Sequence, residues 1–225
     1  MAGIKAFQGW RYNPAKTDLS LCVAPPYDVI EPDEQAALYR RSPNNCIRLI
    51  LGLEEPTDNE QINKYSRAAG HLAAWREAGI ITQDPKAFYA YEQCFSWGGV
   101  TYVRRGFFAR VLLERFGDGR VYPHERTLAG PKADRLRLMR ACHGNLCPVF
   151  GLLTDADNSL SAAVAQLCSG TPHETVTETS GVVNKLWTII DPAVIARLEA
   201  LCAPRDIFIA DGHHRYETAV TYRDE

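Results

Sequence analysis

An apolar run, Ile207-Phe208-Ile209-Ala210, passes through Asp211-Gly212-His213-His214-Arg215 into a stretch of helical character from Tyr216 to Arg223. A strand that turns at a glycine into a helix is a building unit of α/β architecture, so this junction constrains the fold more than any other feature. Upstream, short strand-like runs and helical stretches follow one another, with turn residues between them. The expected fold is α/β of the mixed α+β kind, a mixed sheet with flanking helices. No internal repeat, low-complexity tract or flexible linker breaks the pattern, so residues 1–225 are expected to form a single domain.

The individual elements follow from period and punctuation. Pro25-Pro26 forces extended or turned backbone, and Glu31-Pro32-Asp33-Glu34 marks a helix start. Cys46 to Leu51, apolar and bounded by Pro43-Asn44-Asn45, reads as a buried strand. Ile62, Tyr65, Ala69, Leu72 and Trp75 give a helix from Asp58 to Ala78, closed by Gly79. Two aromatic runs, Ala87–Phe95 and Val100–Phe107, flank Ser96-Trp97-Gly98-Gly99 and predict a β-hairpin, with Phe108 to Leu113 extending the sheet. A helix over Ala133–Ala141, a strand over Leu146–Leu153, a helix over 156–169, a strand over Val183–Ile190, a helix over Pro192–Cys202 and a strand over Asp206–Ala210 complete the order.

Composition excludes several classes. An apolar share of 46% with 23% charged residues is that of an ordinary globular protein. A formal net charge of −2 argues against a protein that wraps duplex nucleic acid, which usually carries a broad basic surface. No signal-peptide core and no membrane-length apolar run is present, and seven cysteines without close pairing fit a reducing compartment, so the expected location is the cytoplasm. Cys142, His143 and Cys147 lack the second ligand pair of a zinc site and read as core or loop residues, which leaves metal use unknown.

Three clusters carry chemistry. At the terminal junction, Gly212 permits close backbone approach to a ligand, helix-start N–H groups favour anions, and Arg215 can grip phosphate with two hydrogen bonds. His213 and His214 can donate hydrogen bonds or move protons, and Asp211 stands beside them. The alternative is that Asp211 caps the helix while the histidines pack or face solvent. In the second cluster, His124 and Glu125 form an acid–base pair, and Lys132 and Arg135 at a helix start can neutralise phosphate. The competing interpretation is a solvated charged helix face. In the third, Pro25-Pro26-Tyr27-Asp28 presents Asp28 to a pocket as a base or metal contact, unless the aspartate only caps a bend.

Val23–Ile30, His124-Glu125-Arg126-Thr127 with Gly130-Pro131-Lys132-Ala133-Asp134-Arg135, and Ile209–Ala219 together resemble a bacterial and archaeal family known as domain of unknown function 1015. The motifs stand in the family's order and span nearly the whole chain. That resemblance implies no established reaction. It does imply a longer protein, so the chain is expected to be truncated at its C-terminus. It also implies a histidine shortly before Leu186-Trp187, where this chain has Asn184-Lys185. The terminal turn is in addition similar to the Gly-to-Arg turn of ParB-like and sulfiredoxin-like domains, which binds nucleotide phosphates. On that likeness Gly212, His213, His214 and Arg215 contact phosphate. A sulfiredoxin would have a cysteine in this turn, and this chain has none.

The expected function is therefore binding of a phosphate compound or nucleotide. By analogy with free-serine kinases of the ParB-like group, the chain would be a small-molecule phosphotransferase or phosphatase for serine or phosphoserine. The nucleotide would be ATP or ADP with Mg²⁺. A nucleotide-sensing or DNA-associated regulatory module without turnover is the alternative, as is an inactive truncated family member. Nucleic acid and membrane partners are not expected, and the oligomeric state is open.

Overall fold

The computed structural model describes residues 3–225. Its strands are β1 (Ile4–Lys5), β2 (Trp10–Tyr12), β3 (Ile81–Gln83), β4 (Phe88–Trp97), β5 (Val100–Phe108), β6 (Arg110–Val111), β7 (Val121–Tyr122), β8 (Phe150–Leu153), β9 (Glu174–Thr177), β10 (Val183–Ile189) and β11 (Ile207–Asp211). Its helices are α1 (Pro32–Arg41), α2 (Ile47–Ile50), α3 (Lys64–Glu77), α4 (Ala129–Cys142), α5 (Ser159–Leu167), α6 (Pro192–Cys202) and α7 (His213–Arg223). The fold is mixed α+β, with four sheets where a single one was expected. The elements sort into two compact units, neither of them a continuous piece of chain.

The first unit takes residues 3–9, Gln83–His124 and Phe150–Asp211. Its main sheet is antiparallel in the order β5-β4-β10-β9. The β4–β5 hairpin turns at Gly98 and Gly99, whose φ angles of 57° and 79° are the two positive values that a tight primed turn requires. Beyond β5 the chain does not extend this sheet as expected: Arg110–Val111 pairs with Ile4–Lys5 in a ribbon of its own. A second, three-stranded sheet has the order β7-β11-β8, parallel on one side and antiparallel on the other. Phe88, Leu160, Ala163, Val164, Leu198 and Cys202 form the core under α5 and α6. Both helices begin under a carboxylate. Asp191 accepts from the N–H groups of Ala193 and Val194, and Asp155 accepts from those of Leu160 and Ser161. The Ser161 hydroxyl, with these N–H groups and Arg205, holds the Asp155 carboxyl far below the usual carboxylate range.

The second unit takes Trp10–Thr82, Glu125–Val149 and Gly212–Glu225. Leu49, Ile50, Ala68, Leu72, Trp75 and Leu138 build its core from α2, α3 and α4. The segment expected as a strand, Cys46 to Leu51, contains the short helix α2. A brief all-apolar run carries no period that separates strand from buried helix. Asn45 decides it: its Oδ1 accepts from the Ile47 N–H, while its Nδ2 donates to the carbonyls of Leu21 and Val23. The helix expected from Asp58 begins only at Lys64, where Asn63 and Ser66 form a reciprocal cap. Ahead of it, Asp58 is drawn into an ion pair with Arg67, and Ile62 stays exposed.

Two further boundaries bear on function. Helix α4 starts at Ala129, four residues before the expected Ala133. It accommodates Pro131 in its first turn, where a missing N–H costs no intrahelical bond. It ends at His143 in the left-handed conformation, whose N–H returns to the Met139 carbonyl. Helix α7 starts at His213 and not at Tyr216. The two histidines and Arg215 are therefore the first three residues of a helix, with Gly212 as its N-cap.

Candidate functional site

Gly212 is fixed in place by what surrounds it. Its φ of 91° lies in the left-handed region that glycine tolerates. A Cβ built there would come within 2.9 Å of the Arg215 guanidinium carbon. No other residue satisfies both conditions. The absence of a side chain thus lets the guanidinium fold back against the start of α7. That helix end has no side-chain cap and no acidic residue in its first turn. A helix N-terminus carries about half a positive charge, and here a full one is laid against it.

Around this end, α7 is held to α4 by polar contacts within the second unit. The Leu128 N–H donates to His214 Nε2 at 2.9 Å. The Thr127 hydroxyl and the Lys132 ammonium both donate to Glu217, Lys132 at 3.2 Å. Burial works to raise the Glu217 carboxyl, but Thr127, Lys132 and His214 outweigh it and leave it below the usual value. His213 is 1% exposed, with Nδ1 2.8 Å from the Oε1 of the half-exposed Glu125.

A second group of residues lies along the Arg135 side chain. Its guanidinium donates to Asp134 and, at 2.8 Å, to the Ile50 carbonyl. Its central carbon sits 3.9 Å from the centroid of the Tyr27 ring. Tyr65 donates to the other oxygen of Asp134 at 2.8 Å, and Lys64 lies 3.2 Å from it. Burial would raise the Asp134 carboxyl, yet Arg135, Tyr65 and Lys64 hold it below the ordinary range. Arg135 and Arg215, 7% and 9% exposed, line one cleft with Cys147 and Thr218. Arg215 also donates to the Pro148 carbonyl. Burial raises both the Tyr27 hydroxyl and the Cys147 thiol; both arginines counter the rise, and Asp28 adds to it. The cleft holds about 20 Å³, room for a water molecule and not for a nucleotide.

The residues expected at the site therefore divide. Asp28, Glu125, Lys132, Arg135, Gly212, His213, His214 and Arg215 belong to the second unit, while His124 and Asp211 belong to the first. His124 Nδ1 donates to the Ile209 carbonyl at 2.7 Å, which fixes its tautomer. Asp211 is exposed at the end of β11. Within the second unit, Glu125 meets His213, whereas Lys132 faces Glu217 and Arg135 faces Asp134. Glu217, Thr127 and Cys147 were not expected there. The spacing of four from His213 to Glu217, one turn of helix, is the signal for the first of them. Nothing local marks the other two.

Taken together, the fold is a mixed α+β arrangement of two units, each built from separate stretches of chain, with charged and titratable side chains gathered at the start of α7. A family model described as "Protein of unknown function (DUF1015)" matches residues 4–225, and the chain belongs to that family. No curated protein and no solved structure matches it.

Proposed function

We propose that the chain binds a phosphate group at the start of α7 and acts as a small-molecule phosphotransferase or phosphatase. The observation that carries this reading is the Arg215 guanidinium folded against Gly212 at an uncapped helix N-terminus. Backbone N–H groups and a guanidinium converging on one point suit a phosphate dianion. Phosphoryl transfer asks for positioning and charge neutralisation more than for covalent chemistry. Arg215 supplies charge in this reading, with Lys132 and Arg135 behind it. The Glu125–His213 pair would take the proton from an attacking hydroxyl or water, His213 as base and Glu125 as its orienting carboxylate.

A phosphate monoester is the substrate class this reading favours. A serine- or phosphoserine-like substrate rests on the likeness of the terminal turn to ParB-like domains alone.

The test is a thermal-shift screen with inorganic phosphate, phosphoserine, ATP, ADP and CTP, each with and without Mg²⁺, repeated on Arg215→Ala and Glu125→Gln. At about 100 times its dissociation constant a ligand adds about 2.7 kcal/mol of stability, a clear rise in melting temperature. Arg215→Ala should abolish the rise. Glu125→Gln should keep it, since its side chain is outside the anion cradle, and should lose turnover. No shift with any ligand would overturn the reading, and salt-dependent retention on DNA would favour a regulatory module instead.

A further inference from the structure

The three-stranded sheet of the first unit has one face in its core and the other in solvent, and the solvent face is apolar. Along β11 the exposures run 6% for Ile207, 45% for Phe208 and 1% for Ile209. In register with Phe208 stand Tyr122 on β7 and Leu152 on β8, both exposed, so one row of large apolar side chains crosses all three strands. The Tyr122 and Phe208 rings stack at 5.2 Å between centroids. Phe150, two residues before Leu152, continues the row on the same face and is also exposed.

Arg104 on β5 joins this row to a second one. Its guanidinium carbon lies 5.0 Å from the Phe150 ring centroid and 5.9 Å from that of Phe95. Phe95 stacks on Tyr102, its partner across the hairpin, and the next pair outward on that face is Trp97 and Val100. Trp97 is 77% exposed. The two rows together present roughly 700 Å² of mostly aromatic surface. The largest apolar patch on a typical monomer is about 300–600 Å². One partner of a standard protein interface contributes about 800 Å².

We infer that this aromatic face of the first unit is the interface of a homodimer, its occupant being the same face of a second copy. The area is close to what a stable two-fold contact takes from each partner, and such a contact pairs a patch with itself. Composition fits as well, since aromatic side chains and arginine are the groups that dominate binding energy at interface centres. A net charge of −2 puts little repulsion between two copies. The same small negative charge disfavours single-stranded nucleic acid, which also stacks on aromatic platforms but needs a basic groove.

Sedimentation velocity over a roughly hundredfold concentration series tests the inference. The wild-type chain should sediment as a dimer that dissociates on dilution. Phe208→Glu, in the middle of the row, should weaken the dimer at least tenfold. Trp97→Arg, at a site too exposed to affect the core, should weaken it in the same direction, with an unchanged melting temperature at dilutions where both chains are monomeric. A wild-type chain that stays monomeric throughout would overturn the proposal. So would a dimer that both variants leave intact, or a monomer that retains a single-stranded oligonucleotide on this face.

Discussion

Two helices of the first unit, α5 and α6, begin differently from two of the second, α4 and α7. Helix α6 starts at Asp191, whose carboxylate accepts two N–H groups, and α5 starts under Asp155. Both ends are closed by the chain's own acid. Helix α4 starts at Leu128 and α7 at Gly212, and neither has a side-chain cap or an acid in its first turn. Capping is worth about 1 kcal/mol per helix, so a chain that caps α5 and α6 and leaves α4 and α7 uncapped forgoes stability at two ends. Those ends carry Lys132, His213, His214 and Arg215. On the proposed function, the difference separates helix starts that serve the fold from helix starts that keep their N–H groups for a ligand.

Four substitutions put that comparison at risk. Gly212→Ala forces a left-handed residue and a Cβ into the space of the Arg215 guanidinium. It should cost about 2–3 kcal/mol in chemical denaturation and remove phosphate binding. A neutral result would mean that Gly212 is no more than a turn. Glu125→Gln should lower turnover about 100-fold without moving the melting temperature. Unchanged turnover would take the Glu125–His213 pair out of the chemistry. Asp191→Ala, at the closed end of α6, should cost about 1 kcal/mol and leave ligand-induced stabilisation untouched. If ligand binding fell instead, closed and open ends would not differ in role.

The smallest effect concerns pH. The Asp134 carboxyl in the folded chain lies below its usual value, so its contribution is full above the unfolded value near 3.8 and is lost as pH falls through the folded one. Asp134→Asn should flatten that acid limb by less than about 1 kcal/mol, because the pair with Arg135 is partly exposed to solvent. An acid limb unchanged in an urea-unfolding series below pH 4 would show that the pair does not stabilise the fold.

Legibility in the sequence followed the range of the interactions. The β4–β5 hairpin was readable because two glycines and two aromatic runs lie within twenty or so residues of each other. Helix α6 was readable from Pro192 and an uninterrupted period. Cys46–Leu51 was misread because Asn45, which sets α2, works through the carbonyls of Leu21 and Val23 more than twenty positions away. The start of α7 was misplaced because cationic residues in a first turn run against the helix macrodipole. The charged motifs stood out as residue types, but their partners did not. His214 with Leu128, Thr127 with Glu217 and Tyr65 with Asp134 are long-range pairs that only the fold creates.

The second unit draws on three stretches far apart in sequence, residues 10–82, 125–149 and 212–225, and α7 brings it the buried Tyr216 and Thr218. During synthesis, then, residues 10–82 and 125–149 leave the ribosome well before the helix that completes their core. They must wait, partly folded, for α7. High contact order of this kind slows folding and prolongs exposure of apolar surface. Nascent chains stalled just before Gly212 should accordingly recruit chaperones more strongly than chains stalled after Arg223.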